Sequence, residues 1–197
     1  MTVKLVVLIS GNGSNLQAIL DACEKKVINA KVVAVISNNS GAFGLVRAEK
    51  AGINTIVLPN LTSGTRIEYD KRLADIVEEL RVDFVILAGW MRLLSSAFLQ
   101  RFQGKVINIH PALPGFFPGT HAIERSFDAF LIGEVDRGGV MVHYVPDEGV
   151  DSGPILMSRE IFFRQGETLD QFEARIHDLE HILLVEALQK LISGKIN

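Results

Sequence analysis

Along the chain, short apolar runs alternate with helical patterns. The runs fall at residues 3–9, 32–37, 55–58, 84–88 and 106–109, and the helical patterns between them at 16–26, 43–50, 67–80 and 96–102. Near-continuous Val, Ile and Leu runs separated by amphipathic helices predict parallel strands covered on both faces. In the helix over 67–80, Ile67, Leu73, Ile76, Val77 and Leu80 share one stripe. Past residue 138 the pattern changes: runs at 139–145 and 154–163 follow each other with no helix of useful length between them, and predict an antiparallel addition at one side of the sheet. A closing helix over 169–192 opens at Thr168 and stops at Gly194, with Leu169, Phe172, Ile176, Leu179 and Leu183 facing inward. The expected fold class is α/β, a doubly wound, mostly parallel, Rossmann-like sheet with an antiparallel addition near its C-terminal side and a long closing helix.

Length and composition narrow the classes of function. A chain of 197 residues is enough for one domain, and no repeat, linker or low-complexity segment divides it. Its net charge of −3, with cations scattered rather than clustered, argues against nucleic acid as a partner, because phosphate backbones need a basic face. The single cysteine, Cys23, cannot close an internal disulfide and fits a reducing compartment. No apolar run approaches the roughly 20 residues a bilayer requires, and the first residues lead straight into a strand. The expectation is a cytoplasmic protein with no membrane partner.

Ligands of such sheets bind at the carboxyl ends of the strands, near the reversal of strand order, which directs attention to the loops there. Residues 10–15, Ser-Gly-Asn-Gly-Ser-Asn, end the first strand and open the first helix, and Ser14 with Gln17 fits a capping box. Free amides and the positive helix end make this a seat for an anion. A dinucleotide fingerprint would need Gly where Leu16 stands and an acid where Asn38 and Asn39 stand; a triphosphate loop would need Gly-Lys-Ser/Thr. A phosphomonoester fits better.

The second stretch is Asn-Ile-His-Pro-Ala-Leu-Pro-Gly-Phe-Phe-Pro-Gly at 108–119. Asn108 and His110 are two apart on a strand and so share a face, with Ile107 and Ile109 on the other. An amide and an imidazole side by side suit a reaction in which negative charge builds on a carbonyl oxygen. The glycine-broken loop at 147–153 offers carboxylates that would pair with His110 and favour its imidazolium, although spacing does not choose among them. No Ser sits in a nucleophile elbow. His177 and His181 stand at i and i+4, but Asp178 replaces the glutamate of the zinc-hydrolase pattern, and no metal is expected. Glu180 and His177 frame one side of a polar helix face.

Taken together and in order, "VVLISGNGSNLQAILDAC", "GWMRLLS", "VINIHPALPGFFPG" and "GVDSGPIL" resemble the 10-formyltetrahydrofolate-dependent formyltransferases, and within them the phosphoribosylglycinamide formyltransferases of de novo purine synthesis. The resemblance implies one formyltransferase domain over 1–197, with a phosphate-binding half at 1–105 and a catalytic, folate-binding half at 106–197. It implies Asn108, His110 and Asp151 as the catalytic trio, and Gly13, Ser14, Asn15, Glu180 and His177 as the residues holding the ribonucleotide. Arg66, Met91, Arg92, Leu93, Leu94 and Val150, with Asn108, are the implied contacts to 10-formyltetrahydrofolate, a co-substrate. Partners are then two small molecules. The mechanism expected is direct attack through a tetrahedral intermediate, with Asn108 on the oxyanion, a protonated His110 beside it and an Asp151-held water as proton shuttle. The chain reads His-Pro-Ala-Leu-Pro-Gly where members usually read His-Pro-Ser-Leu-Leu-Pro, its acidic loop is one residue longer than in bacterial members, and His177 stands in place of Gln. A formyl-folate hydrolase, another formyltransferase on the scaffold, and a non-catalytic nucleotide-binding module are the alternatives.

Overall fold

The computed structural model describes residues 2–59 and 64–194. Among the described residues seven strands form one sheet: β1 (Val3–Ile9), β2 (Ala30–Ser37), β3 (Asn54–Val57), β4 (Phe84–Leu87), β5 (Val106–His110), β6 (Arg137–Tyr144) and β7 (Ile155–Phe162). Their order is β3-β2-β1-β4-β5-β6-β7. Strands β1 to β5 pair in parallel, and β6 and β7 join antiparallel, as the pattern predicts. The helices are α1 (Ser14–Glu24), α2 (Phe43–Lys50), α3 (Arg66–Glu79), the short α4 (Ser96–Leu99) running into a 3-10 turn, α5 (Ala122–Leu131) and α6 (Leu169–Ser193). None among the described residues is long and apolar enough to cross a membrane.

Alternation along β1 explains both layers. Leu5, Val7 and Ile9 join Ile107 and Ile109 in a core beneath α1, α2, α5 and α6, whereas Val6 and Leu8 join Val85 and Leu87 in a second core beneath α3 and α4. Sheet order reverses at β1, whose neighbours are β2 and β4, so a crevice opens at the carboxyl ends of β1, β4 and β5.

Thr65 with Glu68 and Thr168 with Gln171 form capping boxes that start α3 and α6, and Gly194 ends α6 in the left-handed conformation. The Ser14–Gln17 box does not form. Gly13 caps α1 in the left-handed conformation, Ser14 is already helical, and Gln17 donates to Asp21 instead. On α3, Leu73 and Val77 are buried, but Ile67 is exposed and Tyr69 and Asp70 are buried in its stead. On α6 the inward stripe runs through Phe172, Ile176 and Leu183, with Glu180 buried more deeply than Leu179. Helix α5 is not among the expected elements; Ile123 and Phe127, one turn apart, bury its inner face.

An aromatic cluster anchors α6 to this scaffold: Phe172 is fully buried, its ring centroid 4.3 Å from that of Phe163 and 6.0 Å from that of Phe127. Phe172→Ala should therefore lower unfolding free energy by about 3–5 kcal/mol in urea titration. A loss under about 1 kcal/mol would mean that α6 is not held here.

Candidate active site

The crevice is a cavity of about 610 Å³. It is lined by the loop after β1, the loop after β4, the end of β5, the start of α5, the acidic loop after β6, and the cavity-facing side of α6.

Its centre is one carboxylate. Asp151 Oδ1 accepts from Asn108 Nδ2 at 3.0 Å, and Oδ2 accepts from the Gly119 amide at 2.8 Å and lies 3.3 Å from His110 Nδ1. The stretch 108–119 and the acidic loop, 32 residues apart in sequence where Gly119 meets Asp151, thus join on one side chain. The trio that the resemblance implies is brought together, and among the carboxylates that spacing left open Asp151 is the one that reaches His110. Burial alone would raise the Asp151 carboxyl, but hydrogen bonding with His143, the Gly119 amide and the charge that the two neighbouring imidazoles carry when protonated hold it below the usual carboxylate range.

His143 is a member of this cluster that sequence reasoning missed. Antiparallel pairing sets it directly across from Asn108, and its Nε2 stands 3.2 Å from Asn108 Nδ2 and 3.5 Å from Asp151 Oδ1. Its Nδ1 lies 2.8 Å from the Tyr144 carbonyl. A carbonyl only accepts, so Nδ1 carries a proton, and Nε2 accepts from Asn108 in the neutral ring or donates toward Asp151 in the protonated one. A histidine closing an otherwise apolar strand beside the acidic loop was the available signal.

The same reasoning fixes His110. Its Nε2 lies 3.0 Å from the Phe117 carbonyl and must carry the proton of the neutral ring. Burial pushes the His110 pKa below its ordinary value, and the opposing pull of Asp151 and of the Phe117 carbonyl does not overcome it. The expectation that pairing raises the His110 pKa is not met: desolvation outweighs the ion pair. Nδ1 of a neutral His110 and Oδ2 of an ionised Asp151 are two acceptors 3.3 Å apart, a seat for one proton.

Backbone strain supports the cluster. His121 and Asp151, which line the crevice, and Phe117, whose carbonyl meets His110, have left-handed φ of 57°, 49° and 45°. Each such residue costs on the order of 1–3 kcal/mol and persists only where surrounding contacts hold it. The rigid proline loop presents the Phe117 carbonyl to His110 through this turn.

At the other end of the cavity, Gly13, Ser14 and Asn15 present the first turn of α1, whose amides lack helical partners. Asn15 Nδ2 donates to Glu180 Oε1 at 3.3 Å, and Asn15 Oδ1 is buried without a partner among the described residues. Glu180 Oε2 pairs with His177 Nδ1 at 2.7 Å, and Glu173 stands 3.4 Å from His177 Nε2. Between the two ends, Met91 and Leu93 are exposed at the mouth while Leu94 is buried, and Arg92 stacks over the Tyr69 ring at 4.0 Å. Val150 also lines the cavity. Arg66 is not among the lining residues; it pairs with Glu148 of the acidic loop, which also accepts from the Ser96 amide at 2.8 Å.

Glu180 raises the His177 pKa above its ordinary 6.5, against the effect of burial, with Glu173 adding to the rise. A raised folded-state pKa stabilises fully below the unfolded value and is lost as pH rises through the folded one. His177→Gln should therefore lower the melting temperature more at about pH 5.5 than at about pH 8.5. An equal difference at both would contradict the His177–Glu180 pairing.

The formyl transferase family model matches residues 3–188. A phosphoribosylglycinamide formyltransferase of Dictyostelium discoideum is 44% identical over 99% of this chain and all of that one. The Escherichia coli (strain K12) phosphoribosylglycinamide formyltransferase is 39% identical over 98% of this chain and 89% of that one. Among solved structures, glycinamide ribonucleotide transformylase 1 from Symbiobacterium toebii superposes with a TM-score of 0.91 at 37% identity, covering 98% of this chain and 89% of that one.

Proposed function

The chain belongs to the formyl transferase family, and from that premise we propose that it transfers a formyl group from 10-formyltetrahydrofolate to the amine of 5′-phosphoribosylglycinamide, in the cytoplasm and as a step of purine synthesis. The observation that carries the reading is the convergence of Asn108, His110, His143 and Asp151 between an anion seat and a partly apolar slot.

The residues present fit both molecules. The open first turn of α1 suits the phosphate of the ribonucleotide, and the Glu180 carboxylate, which lines the cavity, can accept from its hydroxyl and amide groups. Met91, Leu93, Leu94 and Val150 offer apolar surface to a flat ring. Arg66, Arg92 and the acidic loop border the same side; for Arg66 to meet a carboxylate of the folate, it exchanges its present partner Glu148.

When bound, the folate supplies the formyl carbon that the amine attacks. Attack puts negative charge on the formyl oxygen. Both amide hydrogens of Asn108 are engaged, one on Asp151 and one toward His143, so Asn108 serves the oxygen by giving up the longer contact, that to His143 at 3.2 Å. The nitrogen nucleophile must lose a proton as the bond forms, and the Nδ1–Oδ2 seat between His110 and Asp151 holds it. An imidazolium formed there is stabilised by the carboxylate, and the proton returns to the leaving nitrogen as the bond to the formyl carbon breaks. His110 thus acts as the base from a neutral resting state, in place of the resting cation expected from pairing.

Mixing the protein with 10-formyl-5,8-dideazafolate and phosphoribosylglycinamide and following the absorbance of the deformylated product tests the activity directly. Asn108→Ala and Asp151→Ala should each lower kcat by on the order of 10²–10³, while the affinity for ribose 5-phosphate stays close to that of the parent. Near-parental turnover in either variant would remove that residue from the reaction.

A further inference from the structure

The anion seat is held open from behind by a residue of another helix. Arg47 of α2 does not line the central cavity; it lines a separate hollow with Gln17 and Phe43. Its guanidinium spreads over three acceptors. Nε donates to the Asn12 carbonyl at 3.0 Å, one terminal nitrogen to Asn12 Oδ1 at 3.0 Å, and the other to Gln17 Oε1 at 3.4 Å. The same group lies 5.0 Å from the centroid of the Phe43 ring, which limits where it can turn.

Peptide geometry makes this grip directional. The described residues contain no cis peptide, and in a trans peptide the carbonyl and the next N–H point in opposite directions. With the Asn12 carbonyl drawn toward α2 by Arg47, the Gly13 amide faces the opposite way. The Gly44 amide likewise draws the Gly11 carbonyl at 3.1 Å, which sets the Asn12 amide. The Gly11 and Asn12 carbonyls are thereby turned toward α2 and the amides that follow them away from it, in a loop that lines the cavity, which is what an anion seat requires. Gly13 completes the arrangement: a Cβ there would lie 2.6 Å from Gly44 Cα, so loop and helix are in backbone contact.

We propose that Arg47 is a positioning residue for the phosphate of the ribonucleotide, acting through Asn12 and the Gly13 amide rather than by touching the substrate. The inference rests on the reading of the first loop as a phosphate seat. A lysine at 47 keeps the charge but cannot span the carbonyl and the side-chain oxygen of Asn12 in a fixed fork, which separates positioning from simple electrostatic attraction.

Titration calorimetry with ribose 5-phosphate, alongside steady-state kinetics, tests this. Arg47→Ala and Arg47→Lys should each weaken ribose 5-phosphate by about tenfold or more and raise KM for phosphoribosylglycinamide to match. Turnover at saturation should stay within about twofold of the parent, and binding of 10-formyl-5,8-dideazafolate, the check that the variants are folded, should be unchanged. Parental ribose 5-phosphate affinity in Arg47→Ala would overturn the inference, as would full recovery in Arg47→Lys, which would make the effect one of charge. A folate affinity that falls in step would mark Arg47 as a general structural contact and overturn it too. A parent protein that does not bind ribose 5-phosphate at all would remove the phosphate reading itself, and the inference with it.

Discussion

A largely buried carboxylate is costly unless its oxygens are satisfied, and that constraint organises the site. Both oxygens of Asp151 are used: one by Asn108, the other by the Gly119 amide and the nearby His110 ring. Those partners come from the end of β5 and from the proline-rich loop after it, while Asp151 itself comes from the loop after β6. Satisfying one anion therefore draws together the sheet's last parallel strand, its first antiparallel strand and the loop between them. The left-handed backbone at Asp151 and Phe117 shows that the chain accepts local strain to bring these groups into place.

Around this centre the site divides by chemistry. The end facing α1 offers unpaired amides and the positive terminus of a helix, suited to a phosphate. The opposite end offers apolar side chains from the loop after β4 and from the acidic loop. Buried histidines with fixed tautomers lie between. Each imidazole is tied through one nitrogen to a backbone carbonyl, Phe117 for His110 and Tyr144 for His143, which leaves the other nitrogen facing Asp151. The backbone thus decides which nitrogen meets the reacting groups.

Much of this was legible in the amino-acid sequence. The strand runs could be read because β1, β2 and β4 are apolar on both faces, each face filling a separate core, and β5 is apolar along the face of Ile107 and Ile109. The shared face of Asn108 and His110 follows from the two-residue period of a strand. Other features depend on tertiary contact. Helix α5 begins at His121, which supplies no capping side chain, so the usual start signal is missing. The Ser14–Gln17 box yields to a left-handed Gly13, because the loop must pass against Gly44 where no Cβ fits. The charge of His110 depends on how deeply it is buried, and spacing carries no measure of depth. His143 emerges only once the pairing of β5 and β6 is known.

That pairing carries a consequence for folding fidelity. Asn108 faces His143 only in the register observed, and sliding β6 by a single residue would present Val142 or Tyr144 in its place. Such a misaligned hairpin would retain the same complement of strands and helices, and a circular dichroism spectrum would scarcely distinguish it from the native form. The imidazole resonances of His143 and His110 in an NMR spectrum would be a far more sensitive gauge of correctly assembled molecules than any measure of secondary structure.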